Sequence, residues 1–80
     1  MPNPLHDPRY AVLRELLVRE RERRGLTQVE VAAALGKPQS YVSKYERGER
    51  RLDLIEFATV ARALSADPLA LLRALLEKIG

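Results

Sequence analysis

The side chains that could do chemistry in this sequence are fourteen lysines and arginines, eleven carboxylates and one histidine, His6. The absence of cysteine excludes disulfides, thiolate metal ligands and cysteine nucleophiles. A single histidine cannot supply a histidine-rich metal site, and the prolines around His6 favour a solvated side chain. The carboxylates stand mostly beside arginines, without a Gly-rich phosphate loop or metal-ligand spacing. The sequence therefore favours binding over catalysis, and it predicts no cofactor and no metal site.

The positive charge is concentrated in the first two thirds of the chain. Residues 1–51 carry eleven basic and seven acidic side chains, whereas residues 52–80 carry three basic and four acidic ones. The net charge is +3 and the isoelectric point is near 9.7. Basic residues gathered in one part of a domain are typical of nucleic-acid binding, although basic surface is also ordinary solvated surface.

The length of the chain, 80 residues, predicts a single domain with a modest hydrophobic core. Association of copies is a common source of extra stability in domains of this size. No apolar run approaches the roughly 20 residues of a membrane-spanning helix, and the N-terminus lacks a signal pattern. We therefore expect a soluble, cytoplasmic protein that makes no use of a membrane.

Capping signals divide the chain into five helices. Residues that suit helix N-termini predict where each helix begins. They are Asp7-Pro8, Thr27, Pro38, Asp53 and Asp67-Pro68. The predicted helices are residues 9–24, about eight residues after Thr27, 39–46, a helix capped by Asp53, and 69–79. No stretch alternates with period two, so we expect an all-α fold. The domain should span residues 9–80 and follow a flexible arm, residues 1–8.

Helical spacing predicts which side of each helix is buried. The positions expected to face the core are Tyr10, Leu13, Leu16, Leu17 and Glu20 in the first helix, Val31, Ala32 and Leu35 in the second, Val42 and Tyr45 in the third, and Leu54, Phe57, Ala58, Ala61 and Leu64 in the fourth.

The most informative stretch is residues 28–47, where two short helices meet at a glycine. Ala32 lies where the helices should cross, and a larger side chain there would force them apart. Gly36 can adopt the positive φ that a tight turn needs. Val42 then packs the second helix back onto the first. This spacing of small and apolar residues predicts a helix-turn-helix.

The motif resembles the helix-turn-helix of phage repressors, Cro and related bacterial regulators. The flanking sequences R-x-x-R-G-L-T-Q (residues 21–28), Y-E-R-G-E-R (residues 45–50) and D-P-L-A-L-L (residues 67–72) are also similar to those of the Xre/Cro-type family. The resemblance covers roughly residues 9–71. It implies a five-helix, lambda-repressor-like domain that binds double-stranded DNA, as phage-type repressors and restriction-modification controllers do.

The resemblance implies that the third helix enters the major groove. The expected base-contacting residues are Gln39, Ser40 and Lys44, with Tyr41 at the rim. Alternatively, Ser40 helps to cap the helix and Lys44 meets only phosphate. Two residues depart from the family pattern: Lys37 stands where the family often has a small apolar or hydroxyl residue, and Pro38 replaces a usual Ser or Thr cap. We therefore expect the start of this helix to lie differently than in the family.

The residues that the resemblance assigns to the DNA phosphates are Gln28, Arg47, Arg50 and Arg51. Gln28 is expected to bind at the N-terminus of its helix, where the helix dipole favours an anion. The three arginines could instead be solvated loop residues. Arg21 and Glu46 match a buried family ion pair and are assigned a structural role.

The last helix has more apolar surface than one small core needs. Its leucines and isoleucine cover an arc of about 160° at helical spacing, whereas a docked helix needs little more than 100°. Leu69, Leu72 and Leu76 are predicted to face the core. The apolar residues left over, which predict a twofold dimer interface, are Ile55, Leu71, Leu75 and Ile79. A monomer with a wide leucine stripe is the alternative.

The resulting functional prediction is a transcriptional regulator, a repressor or autoregulator, that binds a palindromic operator as a homodimer. No small-molecule ligand is evident. An antitoxin-like module, which would bind a partner protein and repress its own operon, is the alternative. An enzyme is not expected.

Overall fold

The computed structural model describes residues 7–80, so the predicted arm residues 1–6, with His6, lie outside the described residues. The five helices are α1 (Pro8–Arg23), α2 (Gln28–Leu35), α3 (Gln39–Arg47), α4 (Leu54–Ala63) and α5 (Pro68–Ile79). Residues 7–80 contain no strand, which confirms the predicted all-α fold of five helices. None of these helices is both long and apolar enough to cross a membrane.

The first helix begins at the predicted signal. The Asp7 side chain accepts a hydrogen bond from the Arg9 backbone N–H at 2.9 Å, and Pro8 occupies the first turn, where its missing N–H costs nothing. The Arg9 guanidinium also binds this carboxylate and lowers the pKa of Asp7 to about 2. Asp7 is therefore the N-cap of α1 and Pro8 is its first residue, so the helix begins inside residues 1–8, the segment predicted to be a flexible arm.

Two of the later helices begin with a reciprocal cap. In α2, the Thr27 hydroxyl accepts from the Glu30 N–H while the Glu30 carboxylate accepts from the Thr27 N–H. Asp53 and Glu56 make the same pair of bonds at the start of α4. Each arrangement satisfies two N–H groups that the helix leaves unbonded, so the start of each helix is set by local sequence.

All five helices, together with the turn before α5, supply the core. Helices α2 and α3 pack closely on each other, and α5 packs on α1 and α4. The buried side chains are Leu17, Val31, Ala32, Val42, Tyr45, Phe57, Val60, Ala61, Leu64, Ala66 and Leu71. Because α3 contributes Val42 and Tyr45 from one side only, its opposite side is left for solvent or a ligand.

The buried side of α4 differs from the prediction at two positions. Leu54 is 71% exposed, although it was predicted to be buried, and Val60 is only 1% exposed. Leu54 is the first residue of α4, and its side chain lines an open groove instead of joining the core. Phe57, Ala61 and Leu64 are buried, as predicted.

The rotation of α5 about its axis also differs from the prediction. Leu71 is only 8% exposed and joins the core, so the assignment of Leu71 to a dimer interface is wrong. Leu69 and Leu76, predicted to face the core, are 71% and 54% exposed. Leu72 is partly buried against the core, as predicted. The apolar arc of α5 is wider than its buried side, and contact with α1 and α4 selects the part that contains Leu71.

Candidate nucleic-acid interface

The turn between α2 and α3 sets the position of the exposed helix. Gly36 has φ 67°, in the left-handed region, and its N–H donates to the last carbonyls of α2. The Lys37 N–H also donates back, to the Ala32 carbonyl at 3.0 Å. Ala32 and Val42 are buried where the two helices meet. The turn is therefore short and closed by hydrogen bonds, which fixes the angle at which α3 leaves the core.

The N-terminal half of α3 presents polar side chains to solvent. Gln39, Ser40 and Lys44 are all exposed, as the predicted base-contacting role requires. Pro38 precedes the helix in an extended conformation, and no side chain of the described part of the chain caps this N-terminus. The alternative in which Ser40 caps the helix is therefore not seen. The first N–H groups of α3 are left open at the end of the helix that faces outward.

A chain of hydrogen bonds connects α1, α2 and α3 beneath this surface. The Arg21 guanidinium donates to both oxygens of Glu46, from Nε at 2.7 Å and from Nη2 at 3.1 Å, and from Nη1 to the Leu26 carbonyl at 2.9 Å. The exposed fractions of the Arg21 and Glu46 side chains are 15% and 7%. The Glu46 carboxylate raises the pKa of Arg21 above its ordinary value. The predicted structural ion pair is thus present and well shielded from water.

The same chain continues to the outer surface through two glutamines. Gln28 Nε2 donates to Glu46 Oε1 at 2.9 Å, and Gln39 Nε2 donates to Gln28 Oε1 at a longer 3.4 Å. The Gln28 side chain therefore lies between the buried ion pair and the first residue of α3. This bonding restricts the rotamers of both glutamines before any ligand arrives, which reduces the entropy that binding must remove.

Tyr41 is held differently from its polar neighbours on α3. Its hydroxyl donates to Glu56 Oε2 at 3.3 Å, and the Arg50 guanidinium lies over its ring, 4.8 Å from the centroid. Arg50 also donates a hydrogen bond to Glu56 Oε2. Partial burial raises the pKa of Tyr41. The predicted contact of Tyr41 with bases stays a prediction, and in the free chain this side chain ties α3 to α4.

Of the three arginines assigned to phosphate, Arg47 is the last residue of α3, and Arg50 and Arg51 lie in the loop that follows. Arg47 pairs with Glu49 at 2.5 Å, and Arg50 pairs with Glu56. Arg51 is exposed, and within residues 7–80 no carboxylate lies within 4 Å of its guanidinium. Of the three, Arg51 is therefore the one whose full charge is available without breaking an ion pair.

Two residues next to α3 and the following loop were not predicted from the sequence. Glu56 joins Tyr41, Arg50 and the cap of α4, and its capping-box spacing from Asp53 could have revealed the last of these contacts. Arg14 of α1 packs against Gly48 in the loop after α3. No local pattern marks Arg14, because its partner lies more than thirty residues away in the chain.

Two of the predicted dimer residues border an apolar groove, and a third is exposed on α4. Leu75 and Ile79 of α5 line a groove of about 380 Å³ together with Leu54, Phe57 and Leu72. Ile55 is 73% exposed on α4. These side chains are accessible in a single copy of the chain.

The fold and the site define a class of protein. Two short helices meet at a left-handed glycine, and the second exposes Gln39, Ser40 and Lys44. An arginine ends this second helix, and two more stand in the loop that follows. This is the arrangement of a helix-turn-helix DNA-binding domain, in which the second helix carries the residues for the major groove.

Comparison with known proteins leads to the same class. Residues 17–71 match the helix-turn-helix family HTH_3. An XRE-family like protein from Pseudomonas syringae pv. tomato str. DC3000 is 49% identical, with 94% of this chain and 92% of that chain covered and a TM-score of 0.88. The chain therefore belongs to the Xre-type helix-turn-helix family of DNA-binding transcription regulators, which is not a class of enzymes.

Two restriction-modification controller proteins have similar structures. C.AhdI from Aeromonas hydrophila is 32% identical, with 78% of this chain and 94% of that chain covered and a TM-score of 0.70. C.Esp1396I, solved as a tetramer in complex with its natural 35-base-pair operator, is 19% identical, with 98% and 97% covered and a TM-score of 0.80, which shows a shared fold. A search of curated proteins found no match.

Proposed function

We propose that this protein is a repressor or autoregulator of transcription that binds a palindromic operator as a homodimer. The observation that carries the proposal is the exposure of Gln39, Ser40 and Lys44 on a helix whose other side is fixed in the core by Val42 and Tyr45. A rigid helix with free polar side chains is what base recognition in the major groove requires. A cytoplasmic location follows, since the DNA target lies there.

We assign the sequence preference to three side chains. Gln39 can form two hydrogen bonds with adenine, Lys44 favours the acceptors of guanine, and Ser40 accepts several bases. Tyr41 borders this set and contributes to the rim. Gln39 is the strongest candidate because it stands at the first residue of α3 and its amide is already oriented by Gln28.

We assign the phosphate contacts to Gln28 and to three arginines, Arg47 at the end of α3 and Arg50 and Arg51 in the following loop. Gln28 is the first residue of α2, where the helix dipole favours a phosphate. Its amide keeps unused hydrogen-bonding capacity, since only one of its two N–H donors is bonded within residues 7–80. Phosphate contacts of this kind set the register of the protein on the duplex.

Arg51→Ala should weaken DNA binding on every sequence to a similar degree. If Arg51 neutralises one phosphate, the slope of log affinity against log salt should fall in magnitude by about 0.9. Titration of one duplex at several salt concentrations measures this slope. Arg62→Ala, in the last turn of α4, removes the same charge at the far end of that helix and should leave the slope unchanged. An unchanged slope in Arg51→Ala would remove Arg51 from the interface.

We assign the dimer to the apolar surface of α4 and α5. Ile55, Leu75 and Ile79 remain from the sequence prediction, and the exposed Leu69 and Leu76 extend the apolar surface on α5. Exposed apolar surface of this extent favours a second copy of the chain as its cover. A twofold dimer of this kind would place two copies of α3 about 34 Å apart, one turn of DNA.

Selection of bound duplexes from a random library at physiological salt tests the proposal. We expect a palindrome with half-sites one turn apart. Gln39→Ala should lose about tenfold or more in preference at one base pair of each half-site, the value of a bidentate contact. Gln28→Ala is the contrasting variant, because a lost phosphate contact weakens binding without changing the selected sequence. If the wild type enriches no sequence, the proposal of a sequence-specific regulator is contradicted and the antitoxin-like alternative is favoured.

A further inference from the structure

Arg14 lies behind the loop that follows α3. Its guanidinium packs so closely against the main chain of Gly48 that a Cβ at this glycine would overlap Nη1 and stand 2.8 Å from Cζ. Gly48 also has φ 81°, in the left-handed region. The positive φ therefore favours glycine here, and the Arg14 guanidinium occupies the space that a Cβ would take.

The charge of Arg14 is not compensated by its surroundings. Among residues 7–80, its buried Nε has no hydrogen-bond partner and no carboxylate lies within 4 Å of the guanidinium. Most other arginines of the chain do pair with a carboxylate, namely Arg9, Arg19, Arg21, Arg23, Arg24, Arg47 and Arg50. A buried donor without an acceptor destabilises the folded chain.

Arg14 and two loop arginines line one small hollow next to Gly48. Arg50 and Arg51 line it with Arg14, and the rest of its wall is apolar or aromatic apart from Gly48. Glu56 binds Arg50, but neither Arg14 nor Arg51 has a carboxylate partner in the described chain. Because Glu56 compensates the charge of Arg50, the like charges that repel each other beside this hollow are those of Arg14 and Arg51. An anion beside the loop would relieve this repulsion.

We infer that Arg14 completes, with Arg50 and Arg51, a binding site for one DNA phosphate, and that its uncompensated charge destabilises the free chain. The inference rests on the proposed DNA binding, and it adds a residue from α1 to a surface otherwise built from α2, α3 and the following loop. Arg14 strengthens binding and weakens the free fold for the same reason, since its charge is neutralised only when the phosphate arrives.

Arg14→Met tests this by separating the two effects. The substitution keeps the length and apolar stem of the side chain while removing the charge and the unbonded donor. We expect Arg14→Met to unfold at the same or a higher temperature than the wild type. Its DNA affinity at 0.1 M salt should be about eightfold lower, which corresponds to a loss of about 0.9 in the salt slope for one phosphate. If Arg14 merely supported the loop, its substitution would lower both the unfolding temperature and the DNA affinity.

Two further variants complete the test. Arg14→Lys keeps the charge without the Nε donor and should retain the wild-type salt slope. Arg19→Met removes the same charge from the same helix, at an exposed position paired with Glu15, and should leave the slope unchanged. A lower unfolding temperature in both Arg14 variants, or a wild-type salt slope in Arg14→Met, would overturn the inference.

A measurement without DNA separates this inference from the proposed function. Inorganic phosphate, exchanged for chloride at constant ionic strength, should raise the unfolding temperature of the wild type and of Arg19→Met more than that of Arg14→Met. Equal shifts in all three proteins would overturn the site. If the wild type selects no DNA sequence but still shows this difference, the anion site stands and the proposed regulator fails.

Discussion

Ile55→Lys should reduce the affinity for a palindromic operator by about a hundredfold or more. The proposed dimer holds two copies of α3 on one duplex, and the second copy then binds at a high effective concentration, which commonly contributes a factor of 10² to 10⁴. A lysine at a twofold interface places charge where apolar contact is needed and brings like charges together. Because Ile55 is 73% exposed, the fold of each copy should be unaffected. Titration of the operator duplex measures the affinity.

The choice of lysine makes the sign of this effect informative. An added positive charge favours DNA by itself, so a loss of affinity must come from the loss of association. Val29→Lys is the matched control, since Val29 is also β-branched, exposed and helical but lies on α2. Light scattering should give the mass of one chain for Ile55→Lys and of two chains for the wild type and the control. A wild type with the mass of one chain would contradict the dimer.

Glu46→Ala should lower the free energy of unfolding by about 3 kcal/mol, the cost of removing one partner from a well-shielded ion pair. Arg21 would keep its charge under partial burial and lose both bonds to the carboxylate, and Gln28 would lose its acceptor. Denaturant unfolding followed by circular dichroism measures the change. Glu46→Gln keeps an oxygen acceptor and should lose roughly half as much.

Glu49→Ala is the control for this loss. Glu49 also pairs with an arginine, Arg47, but both side chains are more than half exposed, at 55% and 61%. An exposed pair of this kind contributes little to stability, so unfolding should barely change. Equal stabilities of Glu46→Ala and Glu49→Ala would show that the pair beneath α3 is not a structural tie.

The Glu46 variant also has a consequence at the DNA surface. Glu46 orients Gln28, and Gln28 in turn accepts from Gln39, so the loss of the carboxylate frees both glutamines. Base preference at the Gln39 position should therefore weaken even under conditions where Glu46→Ala is fully folded. The ion pair thus connects the stability of the domain with the precision of its recognition helix.

Local patterns in the sequence were sufficient to place the helices and the turn. Asp7, Thr27 and Asp53 cap helices because a side-chain oxygen can reach N–H groups two or three residues away. Gly36 and Gly48 end helices in the left-handed conformation. Such interactions are complete within a few residues, so the sequence alone determines them. The end of α4 is different, because the residue in the left-handed conformation there is Ser65, with φ 58°, and the sequence has no glycine at this position to predict it.

Only part of the candidate DNA-binding surface was predicted from the sequence. The exposure of Gln39, Ser40 and Lys44 and the Arg21–Glu46 pair followed from resemblance to a known family, which carries tertiary information that composition and spacing do not. The contacts of Tyr41 with Arg50 and Glu56 were not predicted. They depend on how the loop after α3 folds back, and no sequence periodicity describes a loop.

The sequence by itself determined the five helices, their caps, the glycine turn and the polar character of α3, since each depends on short-range chemistry. Only the tertiary structure decided the rotation of α5 and the place of Arg14. An apolar arc of about 160° can bury more than one side of a helix. Packing against α1 and α4 placed Leu71 inside and left Leu69 and Leu76 outside. Arg14 lies against Gly48 for the same reason, because distant segments meet only when the whole core is assembled.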